Sequence, residues 1–155
     1  MALFSQVFAK NIVIEIGTSF GESSLTFALN SPPDCTIHTL DIQRDNPSIG
    51  SKWRSTKESH KIQQHWFPLK DIEAQFQPKT VDLIFIDGDH SYKAVLEDTE
   101  VALRLIRPGG LIIWHDYIFR YRSSVVKAVD ELESKYNLDI RKILHTNLSA
   151  LKITG

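Results

Sequence analysis

The stretch NIVIEIGTSFG, residues 11–21, decides the fold. Its first six residues are rich in β-branched side chains, which is typical of a strand buried on both faces, as the central strands of a parallel sheet are. Gly17 and Gly21 then break the strand and allow a tight turn. Residues 23–30 follow with helical spacing, and two prolines in residues 31–34 end that helix. The stretch therefore predicts a strand–turn–helix unit of an α/β domain.

The rest of the chain repeats this alternation. Further strands are predicted at residues 35–40, 61–67, 81–86 and 111–114, and further helices at 69–76, 91–106 and 123–136. Residues 45–60 are a polar loop, with a short helix left open at 52–59. Two last strands, 138–145 and 149–153, have a link too short for a parallel crossover, so they form an antiparallel hairpin. The prediction is a single domain, residues 1–155, with a doubly wound parallel sheet between helices.

Composition excludes several classes of protein. The 155 residues carry 18 Lys and Arg against 19 Asp and Glu, so the net charge of −1 favours neither nucleic acid nor a membrane surface as a partner. The single cysteine, Cys35, excludes an internal disulfide and a thiolate zinc site. No apolar run reaches the ~20 residues of a membrane-spanning helix, and no leader is evident. We expect a soluble cytoplasmic protein that binds a small-molecule substrate, with a homodimer left open.

Glycines and acids lie where a doubly wound sheet binds ligands, at the carboxyl ends of its strands. The turn has the pattern E-x-G-x-x-x-G from Glu15 to Gly21, and Asp41 ends the second strand twenty residues later. An acid there suits hydrogen bonds to a ribose diol, and the helix after the turn offers free N–H groups. The alternative is an ordinary strand-to-helix turn. A dinucleotide fingerprint needs a third glycine, so an NAD-dependent dehydrogenase is disfavoured.

A second group of polar side chains follows the fourth and fifth predicted strands. Its members are Asp87, Asp89, His90, His115 and Asp116. Neighbouring strand ends lie about 5 Å apart, so these side chains are expected around one cleft. Carboxylates and imidazoles together suit a divalent cation. The alternative is that Asp89 caps the next helix and that the His115–Asp116 pair is an ordinary turn.

These motifs resemble those of a known family. The glycine turn with Asp41 resembles motif I of class I S-adenosylmethionine-dependent methyltransferases. The segments FIDGDHSY (85–92) and RPGGLIIWHDY (107–117) resemble a branch of small O-methyltransferases with an I-D-G-D-H-S-Y signature. The resemblance covers residues 11–153 and implies a Rossmann-like seven-stranded sheet in the order 3-2-1-4-5-7-6, with the terminal hairpin antiparallel.

The resemblance also implies a set of site residues. Those for S-adenosylmethionine are Glu15, Gly17, Thr18, Gly21 and Asp41, with the turn on the amino-acid half and Asp41 on the ribose. In metal-dependent members, an aspartate after strand four and an Asp-Asn pair after strand five bind a divalent cation. Asp87 matches the first position, and His115 and Asp116 match the pair with other residue types, so these three are the expected ligands of Mg²⁺, Ca²⁺ or Mn²⁺. His90 stands where those enzymes carry a lysine base, so His90 and Asp87 are the predicted catalytic residues.

The function predicted from these features is methyl transfer to a small acceptor, at a hydroxyl oxygen. The alternative is a regulatory or interaction protein that keeps the fold and the cofactor pocket without transfer activity. This alternative is considered because few residues precede the first strand and no long lid follows the fifth, whereas many methyltransferases recognise their substrate with such additions. Substrate contacts are expected from residues 45–60, from residues 120–122 or from a dimer partner.

Overall fold

A computed structural model describes residues 1–118 and 123–154. The strands are β1 Ile12–Ile16, β2 Thr36–Leu40, β3 Ile62–His65, β4 Val81–Ile86, β5 Ile106–Trp114, β6 Arg141–Ile143 and β7 Leu148–Lys152. The described α-helices are α1 Ala2–Phe8, α2 Glu22–Leu29, α3 Leu69–Ile72, α4 Tyr92–Leu105 and α5 Ser124–Tyr136. Short 3₁₀ turns occupy Lys57–Lys61 and Glu73–Gln75. None of the described helices combines the length and the apolar character needed to cross a membrane.

The seven strands form one sheet in the order 3-2-1-4-5-7-6, which confirms the expected architecture. Strands β3, β2, β1, β4 and β5 pair in parallel, whereas β7 runs antiparallel to both β5 and β6. The chain leaves β1 toward β2 on one side and later returns to β4 on the other side. The end of β1 therefore lies at the topological switch point, where doubly wound sheets bind their ligands.

The core lies in two layers, one on each face of the sheet. Alternate strand residues point to opposite faces. Ile14 and Ile84 face the layer that α3, α4 and α5 cover, and Val13 and Leu83 face the layer under α1 and α2. Because both faces of β1 and β4 are covered, these strands are almost wholly apolar, which is why they could be recognised from the sequence.

Several boundaries differ from the sequence prediction. The sequence pattern does not indicate α1, and the helix left open at residues 52–59 is replaced by the 3₁₀ turn at Lys57–Lys61. Strand β5 begins at Ile106, directly after α4, instead of at Leu111. The intervening RPGG segment contains a proline and glycines that favour a turn, yet Gly109 N donates to Ile153 O (2.9 Å) and Ile153 N donates to Gly110 O (3.0 Å). The far end of the chain thus holds this segment beside β7.

A buried carboxylate ties together the starts of three strands. Asp82 is fully buried. Its Oδ2 accepts hydrogen bonds from the backbone N–H groups of Asn11 (2.6 Å) and Ile12 (2.8 Å), and its Oδ1 accepts from Arg107 Nε (2.5 Å). One side chain on β4 therefore accepts the hydrogen bonds of two backbone N–H groups at the start of β1 and binds an arginine on β5.

Replacing Asp82 should be costly. In Asp82→Ala, two backbone N–H groups and a guanidinium lose their acceptor, so we expect the free energy of unfolding to fall by about 3 kcal/mol or more. Urea titration followed by circular dichroism measures this change. The control is Asp139→Ala, whose ion pair with Arg141 is exposed and should contribute less than about 1 kcal/mol. Equal midpoints for the two variants would contradict the assigned role of Asp82.

Candidate active site

The turn after β1 is shaped by the surroundings of its two glycines. Gly17 and Gly21 have φ values of 97° and 86°, in the left-handed region. A Cβ atom on Gly17 would lie 2.1 Å from the carbonyl oxygen of Asp87, and one on Gly21 would lie 2.3 Å from Cδ1 of Trp53. Any side chain at Gly17 would therefore push the turn away from the end of β4. Glycine at this position brings the two sequence motifs into contact.

A cavity of about 620 Å³ opens beside this turn. Its walls come from the turn itself, from the loop after β2, from the segment after β3 and from the stretch that leads from β4 into α4. Phe20, Ile42 and Phe67 line it and are more than half exposed. A cavity of this volume suits a ligand of nucleoside size. The apolar side chains offer flat contact for a ring system.

The predicted cofactor residues divide into two groups. Gly17 and Asp41 line the cavity. Glu15, Thr18 and Gly21 lie behind its wall and are buried. The structure thus keeps three of the five away from the cavity surface: Glu15 lies below the turn, and Thr18 and Gly21 are buried within it.

Glu15 is the centre of this buried layer. The hydroxyls of Ser23 and Ser24, at the start of α2, donate to its two carboxylate oxygens, and Thr39 Oγ1 on β2 donates to Oε2 at 2.6 Å. Burial raises the pKa of Glu15 to about 7, although the three hydroxyl hydrogen bonds act in the opposite direction. The carboxylate therefore ties β1 to α2 and to β2.

The hydroxyl network extends from Glu15 to β3. Thr39 Oγ1 lies 2.7 Å from Thr18 Oγ1, and Gln64 Nε2 donates to Thr18 Oγ1 at 3.0 Å. Because Thr39 gives its proton to Glu15, Thr18 must donate to Thr39. This one-way chain fixes Thr18 inside the turn, which explains why a residue of the glycine motif is absent from the cavity lining.

Asp41 presents its carboxylate at the cavity wall. Its Oδ2 accepts from the backbone N–H of Ser19 at 3.2 Å, and its Oδ1 accepts from that of Gln43 at 2.9 Å. An ionised carboxylate has about four acceptor positions. Each oxygen can therefore accept one further hydrogen bond from a ligand.

Two histidines and two aspartates meet where β4 and β5 end. His115 Nδ1 lies 3.0 Å from Asp87 Oδ1 and 3.1 Å from Asp116 Oδ1. The ring of His90 bridges the two carboxylates, with Nε2 at 3.3 Å from Asp87 Oδ1 and Nδ1 at 3.2 Å from Asp116 Oδ2. Asp116 has φ +52°, a left-handed conformation just after β5. The structure thus brings together four of the five polar residues that the sequence placed around one cleft.

The fifth residue of that group, Asp89, has a local role. Its Oδ1 accepts from the backbone N–H of Ser91 (2.9 Å) and its Oδ2 accepts from Ser91 Oγ (3.1 Å). Ser91 itself is the N-cap of α4, since its hydroxyl accepts from Ala94 N at 3.3 Å. Asp89 therefore supports the cap and does not provide it, and it also lines the cavity.

The histidine–aspartate cluster fits a divalent cation. His115 Nδ1 is buried yet makes no hydrogen bond, despite its two close carboxylate oxygens. Ligand atoms in adjacent positions of an octahedral site with bonds of ~2.1 Å lie about 3.0 Å apart, which matches the separations of 3.0 and 3.1 Å. Ligand atoms of Asp87, His90 and His115 also lie within 4.8 Å of one another.

Sequence analysis did not single out several of the cavity residues. Asp98 on α4 lines the wall, and burial raises its pKa to about 6, with further contributions from Glu97 and Asp89. Asp98 lies one helical turn after Ala94, which also lines the cavity. The helical spacing of these two residues was the sequence signal that could have placed Asp98 on the face of α4 toward the site. The segment 120–122, predicted to contact substrate, lies outside the described residues.

Comparison with known proteins gives this site its context. A family profile described as "Methyltransferase domain" matches residues 14–117. The chain is 33% identical over 126 residues to "Probable caffeoyl-CoA O-methyltransferase 3" of Dictyostelium discoideum, an alignment that covers 76% of this chain and 48% of the relative. It is 35% identical over 129 residues to "Caffeoyl-CoA O-methyltransferase 2" of Zea mays, with 79% and 47% covered. The chain thus spans about half the length of the curated relatives it matches.

A solved structure supports the fold. The O-methyltransferase TomG from Streptomyces achromogenes, crystallised in complex with SAM, superposes with a TM-score of 0.81 at 22% identity, covering 99% of this chain and 78% of that one. The low identity limits this likeness to the architecture, whose strand order is the one described above.

The buried carboxylate should make stability depend on pH. A carboxyl group whose folded-state pKa lies above its ordinary value stabilises the fold when protonated, and this contribution is lost as the pH rises through the folded-state pKa. With the pKa of Glu15 raised from 4.5 to about 7, the wild type should lose about 2–3 kcal/mol between pH 5 and pH 8 relative to Glu15→Gln. Urea denaturation of both proteins at the two pH values measures the difference. Glu22→Gln, on the exposed side of α2, is the control. Parallel pH profiles for the wild type and Glu15→Gln would disprove the assignment.

Proposed function

Because the chain belongs to the methyltransferase domain family, we propose that it transfers the methyl group of S-adenosylmethionine to a hydroxyl oxygen of a small acceptor. The observation that carries the proposal is the position of the histidine–aspartate cluster directly beside the cavity, joined to it through Asp87, which belongs to both. The O-methyltransferase names of the matching relatives support the same reaction.

The cavity suits the charge and the parts of this cofactor. Asp41 accepts hydrogen bonds from the ribose hydroxyls, and the backbone at Gly17 admits the amino-acid half. The exposed rings of Phe20 and Phe67 provide surfaces for the adenine. Acidic side chains outnumber the basic ones in the lining, where Lys70 stands against Asp41, Asp87, Asp89, Glu97 and Asp98. A negatively charged cavity attracts the sulfonium cation of S-adenosylmethionine. It binds the uncharged sulfur of the product, S-adenosylhomocysteine, less strongly.

The chemistry is an in-line displacement at the methyl carbon. The bond between the acceptor oxygen and the methyl group forms while the bond from sulfur to the methyl group breaks, and its electron pair stays on sulfur. His90 takes the proton of the acceptor hydroxyl. Its two ring nitrogens lie 3.3 Å from Asp87 and 3.2 Å from Asp116, so both carboxylates stabilise the imidazolium that results. The protein mainly orients the two reactants, since the sulfonium methyl is already activated.

Asp87, His115 and Asp116 would hold a divalent cation. When bound there, a cation lowers the pKa of a coordinated hydroxyl.

Cofactor binding is tested first. Titration calorimetry with S-adenosylhomocysteine should show binding to the wild type. Asp41→Asn should weaken this binding ~10–100-fold, because a charged acceptor of two ribose hydrogen bonds becomes neutral. Asp45→Asn, on an exposed loop position outside the cavity lining, should bind like the wild type. No heat and no thermal shift at millimolar ligand would reject the proposed function.

Transfer is tested with radiolabelled S-adenosylmethionine, caffeoyl-CoA and a panel of simple phenols. We expect His90→Ala to lower the turnover of an accepted substrate by ~10²–10⁴, the usual effect of losing a general base, with S-adenosylhomocysteine affinity within a few-fold of the wild type. His145→Ala, on an exposed turn before β7, is the control. If His90→Ala keeps full turnover, another group accepts the proton.

A further inference from the structure

We propose that His115 makes the cation site selective for late first-row transition ions, with Zn²⁺ bound in preference to Mg²⁺ and Ca²⁺. The inference rests on the cation site of the proposed function and goes beyond it, because it states which class of ion these residues take. It departs from the Mg²⁺, Ca²⁺ or Mn²⁺ that the oxygen ligands alone suggest.

The first support is the position of a nitrogen at the centre of the cluster. His115 Nδ1 is the atom that lies close to both Asp87 Oδ1 (3.0 Å) and Asp116 Oδ1 (3.1 Å). It is buried and makes no hydrogen bond to either oxygen. A simple imidazolium–carboxylate network would direct an N–H group at one of these oxygens. The observed arrangement instead leaves this nitrogen beside two carboxylate oxygens, and ligand atoms of Asp87, His90 and His115 lie within 4.8 Å of one another.

The second support is that the ring of His115 is held in place. Its backbone N–H donates to Ile86 O at 3.0 Å, directly after the β4–β5 ladder. The imidazole packs edge-on against Phe85, with ring centroids 6.2 Å apart and planes at 82°. A ring positioned in this way loses little freedom when it binds an ion, so the observed geometry is close to the one that ion binding requires.

The donor types decide the selectivity. Two carboxylates balance the charge of any divalent ion equally, so charge does not separate Zn²⁺ from Mg²⁺. Imidazole nitrogen is a good ligand for Zn²⁺ and other late first-row ions, whereas Mg²⁺ and Ca²⁺ prefer oxygen. The nitrogen of His115 is therefore the feature that discriminates.

His90 lies close to both carboxylates of this site. Its Nε2 lies 3.3 Å from Asp87 Oδ1, the same oxygen that His115 Nδ1 approaches, and its Nδ1 lies 3.2 Å from Asp116 Oδ2. Groups that hydrogen-bond to metal-binding side chains orient them and raise affinity. The hydrogen bond between His90 Nε2 and Asp87 Oδ1 (3.3 Å) thus helps to orient Asp87.

The test measures metal binding directly, without cofactor or acceptor. The metal-stripped wild-type chain is dialysed against Zn²⁺ or Mg²⁺, and bound metal is counted by mass spectrometry. Co²⁺ serves as a spectroscopic probe, since its visible absorption reports nitrogen and oxygen ligands. We expect one Zn²⁺ per chain, bound at least a hundredfold more tightly than Mg²⁺. His115→Asp, which exchanges the nitrogen for a carboxylate, should reduce the Zn²⁺-to-Mg²⁺ affinity ratio at least tenfold and alter the Co²⁺ spectrum.

A second pair of ring nitrogens provides the matched control. His38 Nδ1 and His65 Nε2 lie 3.0 Å apart on β2 and β3, so zinc bound there would be lost in His65→Gln. We expect His65→Gln to bind zinc like the wild type. An unchanged affinity ratio in His115→Asp, no zinc bound by the wild type, or zinc lost in His65→Gln would each overturn the proposal. Urea titration checks that His115→Asp is folded, and His115→Asn replaces it if it is not. Loss of S-adenosylhomocysteine binding, measured separately, would reject the proposed function without moving these metal affinities.

Discussion

The contact between Gly17 and the carbonyl oxygen of Asp87 is the constraint on which the site depends. A Cβ atom at Gly17 would stand 2.1 Å from that oxygen, so the turn after β1 can touch the end of β4 only through a glycine. The contact fixes one wall of the cavity. It also sets the distance between Asp41, which β2 delivers beside the turn, and the cluster that starts at Asp87. The cavity and the histidine–aspartate cluster then share one side chain, Asp87, as their boundary.

The turn is supported by a buried carboxyl group, whose burial lowers the stability of the fold. Glu15 is a carboxyl group inside the core, and three hydroxyls are needed to accommodate it. Burial of an ionisable group opposes stability at neutral pH. In return, one side chain joins β1, β2 and the first turn of α2, so the backbone at Gly17 is supported from beneath. An apolar residue would avoid the cost of burying a carboxyl group, but it would leave the hydroxyls of Ser24 and Thr39 without this acceptor.

The sequence predicted the doubly wound sheet and the terminal antiparallel hairpin, because apolar runs, a glycine turn and a short last connection carry that information locally. The strand order followed from the resemblance to class I methyltransferases. It also predicted that residues after β4 and β5 converge, since parallel strands end at one edge. It could not show that Glu15 and Thr18 face away from the cavity. The residue types do not reveal which side of the sheet or turn a side chain points to, because that depends on the elements that cover each side. Nor could it show that β5 starts at Ile106, since the partner of the RPGG segment is Ile153, more than forty residues away. The role of Asp98 depends on how α4 is rotated, which packing decides.

The charge of the cavity connects the fold to the choice of ligand. A doubly wound sheet with a glycine turn can hold a dinucleotide, whose pyrophosphate needs positive or neutral surroundings. Here Asp41, Asp87 and Asp98 line the cavity and Lys70 is the basic residue among them, so a pyrophosphate would meet repulsion from three directions. A ligand that carries a sulfonium and an ammonium group meets attraction from the same carboxylates. The acids that disfavour one cofactor class are thus the ones that favour the other, and the discrimination needs no further residue in the turn.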